Sequence, residues 1–143
     1  MRNNILFKIV KYSLFVFPLL LIYFFRPFRI IRFQRLSTEV IGAFAEHVET
    51  YLCKKKDLPP KDNRYIDLFC YGKISNIQLA KMIKKKINVL PSYLLEPIIV
   101  INSFISRYIK ALSIHEINTK SYRDVNDLYS KYSPNLDFTK KEK

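Results

Sequence analysis

Residues 29–71, RIIRFQRLSTEVIGAFAEHVETYLCKKKDLPPKDNRYIDLFCY, contain the pattern that determines the fold. The β-branched segment at 29–33 is typical of a strand, and the aliphatic and aromatic segment at 65–71 is typical of a second strand. Between them, 40–55 has an apolar stripe at helical spacing, formed by Ile41, Phe44, Ala45, Val48, Tyr51 and Leu52. A strand, an amphipathic helix and a strand within about 45 residues predict a βαβ unit with parallel strands.

The loop between the first strand and its helix carries the candidate binding residues. In an open α/β sheet, ligands bind beyond the carboxyl ends of the strands, at the N-terminus of the following helix. Arg35 is suited to pair with a phosphate. Ser37 and Thr38 offer hydroxyl groups, and Gly42 allows a ligand to approach the backbone closely. A structural interpretation also fits, in which Ser37 or Thr38 is the helix N-cap and Gly42 is a packing glycine.

Upstream of the βαβ unit, residues 1–28 are the most apolar part of the chain and predict a membrane anchor with basic flanks. The uncharged run 12–25 has 14 residues, whereas a straight membrane span requires about 20. Adding the seven preceding residues extends the run to 21 and includes Lys8 and Lys11, which share a helical face and could snorkel to the interface. Pro18 is compatible with a kinked spanning helix and with a segment that enters one leaflet and returns. The sequence leaves both arrangements open.

The charge is strongly positive, which favours an anionic partner. The 143 residues include 25 Lys and Arg against 12 Asp and Glu, for a net charge of +13. Seven basic residues and no acidic residue lie within 1–36, around the most apolar segment. This asymmetry favours membrane lipid or a phosphorylated small molecule as the partner over nucleic acid. A hydrophobic content of 49% excludes a disordered chain.

Motifs for enzyme chemistry are scarce in this sequence. It contains no P-loop, no dinucleotide glycine fingerprint and no nucleophile elbow. Cys53 and Cys70 have no metal-ligand spacing with each other or with a histidine, so we expect no metal and no cofactor, although counting does not exclude a disulfide. Glu46, His47 and His115 fall in polar surroundings, and we interpret them as solvent-facing.

Beyond the βαβ unit the sequence predicts a largely helical second half. Helices are expected over 75–88, where 75–78 forms a capping box, and over 93–112 and 121–132. The apolar stripe of 93–112 is compatible with a core position or with contact to a membrane. The lysine run 84–86 fits a solvated helix face, and it also fits an anionic lipid or RNA contact.

Three collinear stretches resemble the N-terminal region of a family of bacterial glycosyltransferases associated with surface-polysaccharide synthesis. They are FRIIRFQRLSTEVIGAFAEHVETYLCKK (28–55), RYIDLFCYGKISNIQLAKMIKKKINVLPSYLLEPI (64–98) and RDVNDLYSKYSPNLDFTKKE (123–142). The resemblance implies a two-lobed enzyme of the GT-B type with two Rossmann-like domains. It also implies a nucleotide-sugar donor and a cell-surface glycan or lipid-linked acceptor. Family members carry a polar or basic residue after the loop glycine, where this chain has Ala43, so the catalytic residues stay unknown.

We therefore expect an α/β protein in which a membrane helix within 1–28 precedes a partial Rossmann-like lobe at 29–143 with a small parallel sheet. The expected function is that of the N-terminal lobe of a membrane-associated glycosyltransferase on the cytoplasmic face of the bacterial inner membrane. The alternative is a small non-catalytic membrane protein that binds anionic lipid or a partner helix. Nucleic-acid binding would fit the charge but leaves the apolar run 12–25 unexplained. A second capping-box pattern at 139–142, with one residue after it, leads us to expect a missing C-terminal lobe.

Overall fold

The computed structural model describes residues 2–57, 64–117, 127–132 and 135–136, with side chains in the first helix from Tyr12 onward. The strands are β1 (Ile30–Leu36) and β2 (Tyr65–Tyr71). The α-helices are α1 (Arg2–Phe24), α2 (Ile41–Asp57), α3 (Ile77–Lys84), α4 (Ser92–Ser106) and α5 (Leu128–Tyr132), and a 3₁₀ helix covers Lys110–His115.

β1 and β2 form a two-stranded parallel sheet, which confirms the α/β prediction and the parallel βαβ unit. Their register runs from Ile30 opposite Tyr65 to Leu36 opposite Tyr71. The crossover helix α2 ends at Asp57 after three consecutive lysines, which suit the negative end of the helix dipole.

Two extended segments lie beside the outer edges of this sheet. On the β2 side, Phe69 donates its N–H to the Asn88 carbonyl (2.9 Å) and accepts from the Leu90 N–H (2.8 Å). On the β1 side, Glu116 forms a parallel bridge with Phe33. Across the described residues, the order is therefore the 88–90 segment, β2, β1 and the 116–117 segment. Among the described residues β1 and β2 form the sheet, and each flanking segment is joined to it by a single bridge.

Helices cover both faces of the sheet. On one face α2 and α3 pack onto a core formed by Leu36, Phe44, Val48, Tyr51, Phe69, Ala80, Ile83 and Ile87. On the other face α1 and α4 pack onto a core formed by Leu19, Phe33, Cys70, Leu95 and Ile98. The strand side chains alternate between the two cores, as expected for strands buried on both sides.

The N-terminal membrane helix predicted within 1–28 is wrong. Among the residues that the structure describes, no helix is long and apolar enough to cross a membrane. The charge-free part of α1 is short, and one side of the helix covers the sheet instead. Leu19 is 1% exposed in that contact, and the Tyr23 hydroxyl donates a hydrogen bond to Asn102 Oδ1 in α4 at 2.7 Å. Pro18 lies inside α1 without ending it.

The helices of the second half are shorter than the sequence predicts. The predicted helix at 93–112 is divided between α4 and the 3₁₀ helix, because the chain turns back to place Glu116 beside β1. In that turn Ser106 Oγ and Asn102 Nδ2 donate to Glu116 Oε1, at 2.7 and 3.2 Å. The predicted helix at 75–88 ends early, because 88–90 leaves the helix to pair with β2.

Two further details of the helix predictions concern their ends. The N-cap of α3 is Asn76 rather than Ser75, and its side chain accepts from the Leu79 N–H at 2.9 Å. Of the helix predicted at 121–132, α5 accounts for the last five residues. Residue 127 lies outside the helix, and 121–126 and the pattern at 139–142 lie outside the described residues.

Candidate functional site

A cavity of about 560 Å³ opens beyond the carboxyl ends of β1 and β2. The loop that follows β1 and the start of α2 form most of its wall, and the residue after β2 closes it. The lining residues are Arg35, Leu36, Ser37, Thr38, Glu39, Val40, Ala43 and Gly72. This is the position at which open α/β sheets bind ligands, because both strand ends and the N-terminus of the crossover helix meet there.

Arg35, which lines this cavity, forms an ion pair with a residue of α4. Its position in β1 directs the side chain to the α4 face of the sheet, where Nη1 donates to Glu96 Oε1 at 2.8 Å. Both side chains stay partly accessible, at 49% and 41% exposure. The guanidinium is therefore oriented while still in contact with solvent. It is the principal candidate to bind an anion in the cleft.

The Arg35 guanidinium lies close to Gly72, which has no side chain. A Cβ atom built on Gly72 would lie 3.0 Å from Arg35 Nη2 and 3.3 Å from Nε. A side chain at this position would therefore require the guanidinium to shift slightly. Sequence reasoning missed Gly72, although a glycine directly after a buried strand is a recognisable signal.

Thr38 connects the two loops that form the cavity. It is fully buried, and its hydroxyl donates to the Lys73 carbonyl at 2.9 Å. The Thr38 carbonyl in turn accepts from the Ser75 N–H at 3.0 Å. Although Thr38 lines the cavity, its hydroxyl proton is used in the hydrogen bond to Lys73. We assign Thr38 a positioning role.

Ser37 and Gly42 occupy different parts of the site. Ser37 is exposed and lines the cavity. Gly42 lies in the first turn of α2, outside the lining set, and a Cβ atom built there meets no atom within 4 Å. Protein packing therefore does not require a glycine at position 42. The first-turn N–H groups of α2 lack intrahelical partners by geometry and favour a negative charge nearby.

A second cavity, of about 340 Å³, adjoins the first at Gly72. Its wall includes Tyr71, Tyr93, Lys84 and the 89–92 segment. The Tyr71 hydroxyl donates to the Ala80 carbonyl at 2.9 Å, and burial raises the pKa of Tyr71 to about 12. Tyr71 therefore stays neutral and contributes an aromatic surface. The two cavities together form a groove, which we call the cleft, with a cationic part at Arg35 and an aromatic part at the tyrosines.

The histidines lie away from the cleft, and the solvent-facing interpretation of both is wrong. His47 is 2% exposed on the sheet side of α2, and His115 is fully buried beside β1. Burial lowers the pKa of each imidazole. Glu46 is exposed as expected. The two cysteines are buried and are not joined by a disulfide.

Glu96 is the second residue of the site that sequence reasoning missed. It lies 61 positions from Arg35, on a helix that the sequence treats as apolar. No local spacing connects the two residues, because the parallel sheet and α4 bring them together only in the folded chain. Comparisons with protein-family models, curated proteins and solved structures find no match to this chain.

Proposed function

We propose that this chain is the N-terminal lobe of a glycosyltransferase and that its cleft binds a phosphate-bearing substrate. The proposal rests on the resemblance described above and on one structural observation. That observation is the Arg35 guanidinium, which Glu96 orients over Gly72 beyond the carboxyl ends of two parallel strands.

Arg35 has the chemistry that such a substrate requires. A guanidinium presents five N–H donors in a plane, and the contact with Glu96 uses one of them. The donors facing the cavity can bind two phosphate oxygens at once. The N-terminus of α2, directly after the loop, adds favourable dipole potential on the same side. A diphosphate, which both nucleotide sugars and lipid-linked acceptors contain, matches this arrangement.

The aromatic part of the cleft supports a bipartite ligand. Tyr93 is 66% exposed, and Tyr71 forms part of the same wall. Because the cationic and aromatic parts meet at Gly72, a ligand that carries a ring next to a phosphate can contact both. In this proposal the lobe binds and orients its substrate, and the sugar passes from the nucleotide carrier to an acceptor hydroxyl at the open side of the cleft.

Isothermal titration calorimetry with uridine diphosphate tests the proposal. Arg35→Ala should weaken binding about ten- to hundredfold, the range expected for lost hydrogen bonds to a charged group. Arg107→Ala is the matched control, since it removes the same charge from an exposed position at the end of α4. It should leave the affinity unchanged.

A second ligand, inorganic pyrophosphate, tests the aromatic part of the cleft separately from the cationic part. Inorganic pyrophosphate should bind more weakly than uridine diphosphate if the aromatic part of the cleft contributes. Equal affinities for the two ligands would show that the site recognises only the anion and that the aromatic part does not contribute. Absence of binding by the wild-type protein, or an equal loss in both arginine variants, would contradict a phosphate site at Arg35.

A further inference from the structure

Helix α1 carries two apolar stripes on opposite sides, and only one of them is packed. The packed stripe consists of Phe15, Leu19, Ile22 and Tyr23, which contribute to the core shared with α4 and the sheet. The second stripe consists of Leu14, Phe17, Leu21 and Phe24, spaced three, four and three residues apart. This spacing places them on the helix face opposite Leu19.

The second stripe is strongly exposed. Leu14, Phe17 and Phe24 are 70%, 68% and 72% exposed, and Phe28, just beyond the helix, is 73% exposed. From Leu14 to Phe24 the stripe is about 15 Å long at the rise of an α-helix. An uninterrupted apolar strip of this length, with large aromatic side chains, marks an interaction surface.

The charge next to the stripe indicates what covers it. Arg29 follows the stripe and is exposed, and the first 36 residues contain no acidic residue. Among the other basic residues, Arg32 and Arg35 pair with Asp67 and Glu96, and Arg26 lies close to the buried His115. A second copy of this chain would bring like charges together. An anionic lipid surface supplies an apolar layer and negative headgroups side by side.

We infer that the exposed stripe of α1 binds an anionic lipid surface, with the helix lying in the plane of the interface. The aromatic and leucine side chains enter the outer acyl region, and Arg29 contacts the headgroups. The opposite side of α1 keeps its contacts with α4 through Leu19 and Tyr23. The helix therefore lies on the bilayer without crossing it.

This surface is separate from the cleft. Arg29 precedes the amino end of β1, whereas Arg35 and the cleft lie at its carboxyl end. The seven-residue strand between them spans about 20 Å. Lipid binding can therefore succeed or fail independently of phosphate binding in the cleft.

Vesicle co-sedimentation tests the inference. The wild-type protein should bind vesicles that contain phosphatidylglycerol and bind pure phosphatidylcholine vesicles much more weakly. Phe17→Ser should lower the affinity about tenfold, since a large apolar anchor is lost. Ile77→Ser is the matched control, because Ile77 has the same 68% exposure but lies on α3, across the sheet. It should bind like the wild type.

A fluorescent reporter checks the depth of the stripe. The chain contains no tryptophan, so Phe24→Trp introduces a single indole whose emission should shift to the blue on addition of anionic vesicles. Arg29→Gln should weaken the preference for anionic lipid. The inference is overturned if the wild type does not bind anionic vesicles, or if Phe17→Ser and Ile77→Ser weaken binding equally. It is also overturned if the stripe instead mediates a dimer that Phe17→Ser dissociates.

Discussion

Asp67 is a buried carboxylate at the centre of the sheet that contacts both β1 and α2. It is 6% exposed, and it accepts hydrogen bonds from Arg32 Nε (2.6 Å), Arg32 Nη2 (2.9 Å) and the Tyr51 hydroxyl (2.7 Å). These contacts join β1, β2 and α2. Burial, together with the bond to Asp67, raises the pKa of Tyr51, so its hydroxyl stays protonated and donates.

We expect Asp67→Asn to lower the free energy of unfolding by about 3 kcal/mol, because it leaves a half-buried guanidinium without its counter-charge. Urea unfolding followed by circular dichroism measures this change. Asp57→Asn is the control, since Asp57 pairs with Lys131 on the exposed surface at 3.3 Å and exposed pairs contribute little. Similar urea midpoints for the two variants would contradict a central role for Asp67.

His115 makes stability depend on pH in the mildly acidic range. Its Nδ1 donates to the Ile31 carbonyl at 2.7 Å, and its buried Nε2 has no hydrogen-bond partner among the described residues. Burial lowers the pKa of His115 below its ordinary value of 6.5, and Arg26 acts in the same direction, against the bond to Ile31. Below pH 6.5 the His115 imidazole therefore binds a proton more readily in the unfolded chain than in the folded chain. Stability is retained above pH 6.5 and lost as the pH falls below it.

We expect the free energy of unfolding to decrease between pH 7 and pH 5.5, by at most about 1.4 kcal/mol per pH unit for each histidine. His115→Asn keeps a donor near the position of Nδ1 and removes the titrating ring. Its unfolding energy should therefore depend less steeply on pH, with His47 contributing the remaining dependence. Urea titrations at each pH measure both slopes. An unchanged slope in His115→Asn would exclude this histidine as the source.

At the level of single residues, the sequence predicts a phosphate-pairing role for Arg35 but not the residues that position it. Hydrophobic periodicity identifies which side chains are apolar, and it carries no information on partners that are distant in the chain. Glu96 and Gly72 contact Arg35 only because the sheet and α4 assemble around it. His47 was misplaced for a related reason, since a polar side chain next to an apolar stripe can be buried by a neighbouring element.

Helix α1 shows that apolar composition alone does not distinguish a membrane segment from a helix packed in a core. Its apolar content is typical of a membrane segment, yet Leu19 is buried against α4 and the sheet.

We expect Leu19→Ala to lower the free energy of unfolding by about 3 kcal/mol, the cost of a core cavity. Leu20→Ala removes the same atoms from a side chain that is 57% exposed and should change it by less than about 0.5 kcal/mol. Thermal unfolding in detergent-free buffer distinguishes the two variants, and equal effects would contradict the packing of α1.

The strand–helix–strand unit was predictable because its signals are local. The strands are β-branched or aromatic, the helix has a continuous apolar stripe, and the lysines and prolines after it mark its end. The segments at 88–90 and 116–117 gave no such signal, because each pairs through a single bridge and is too short to show alternation. The sequence therefore predicts a small parallel sheet of two or three strands, and the flanking segments emerge only from the structure.

In the whole molecule, the 88–90 segment lies beside β2 and the 116–117 segment lies beside β1. The helices α2 and α3 cover one face, and α1 and α4 cover the other. This arrangement directs the carboxyl end of β1 and the N-terminus of α2 to one edge of the molecule. The Phe24 end of the α1 stripe precedes the amino end of the same strand. The proposed lipid surface therefore begins at the end of β1 opposite to the proposed phosphate site.

An NMR titration shows whether the cleft at Arg35 binds a phosphate-bearing ligand. A ¹⁵N-labelled protein titrated with uridine diphosphate reports the backbone N–H groups and the Arg35 Nε–H in one series of spectra. We expect shifts to concentrate at Arg35, at residues 37–43 and at Gly72, while Ile30 and Arg64 at the opposite end of the strands stay unchanged. Shifts centred on the lysine run 84–86 with none at Arg35, or no shifts at millimolar ligand, would contradict this expectation.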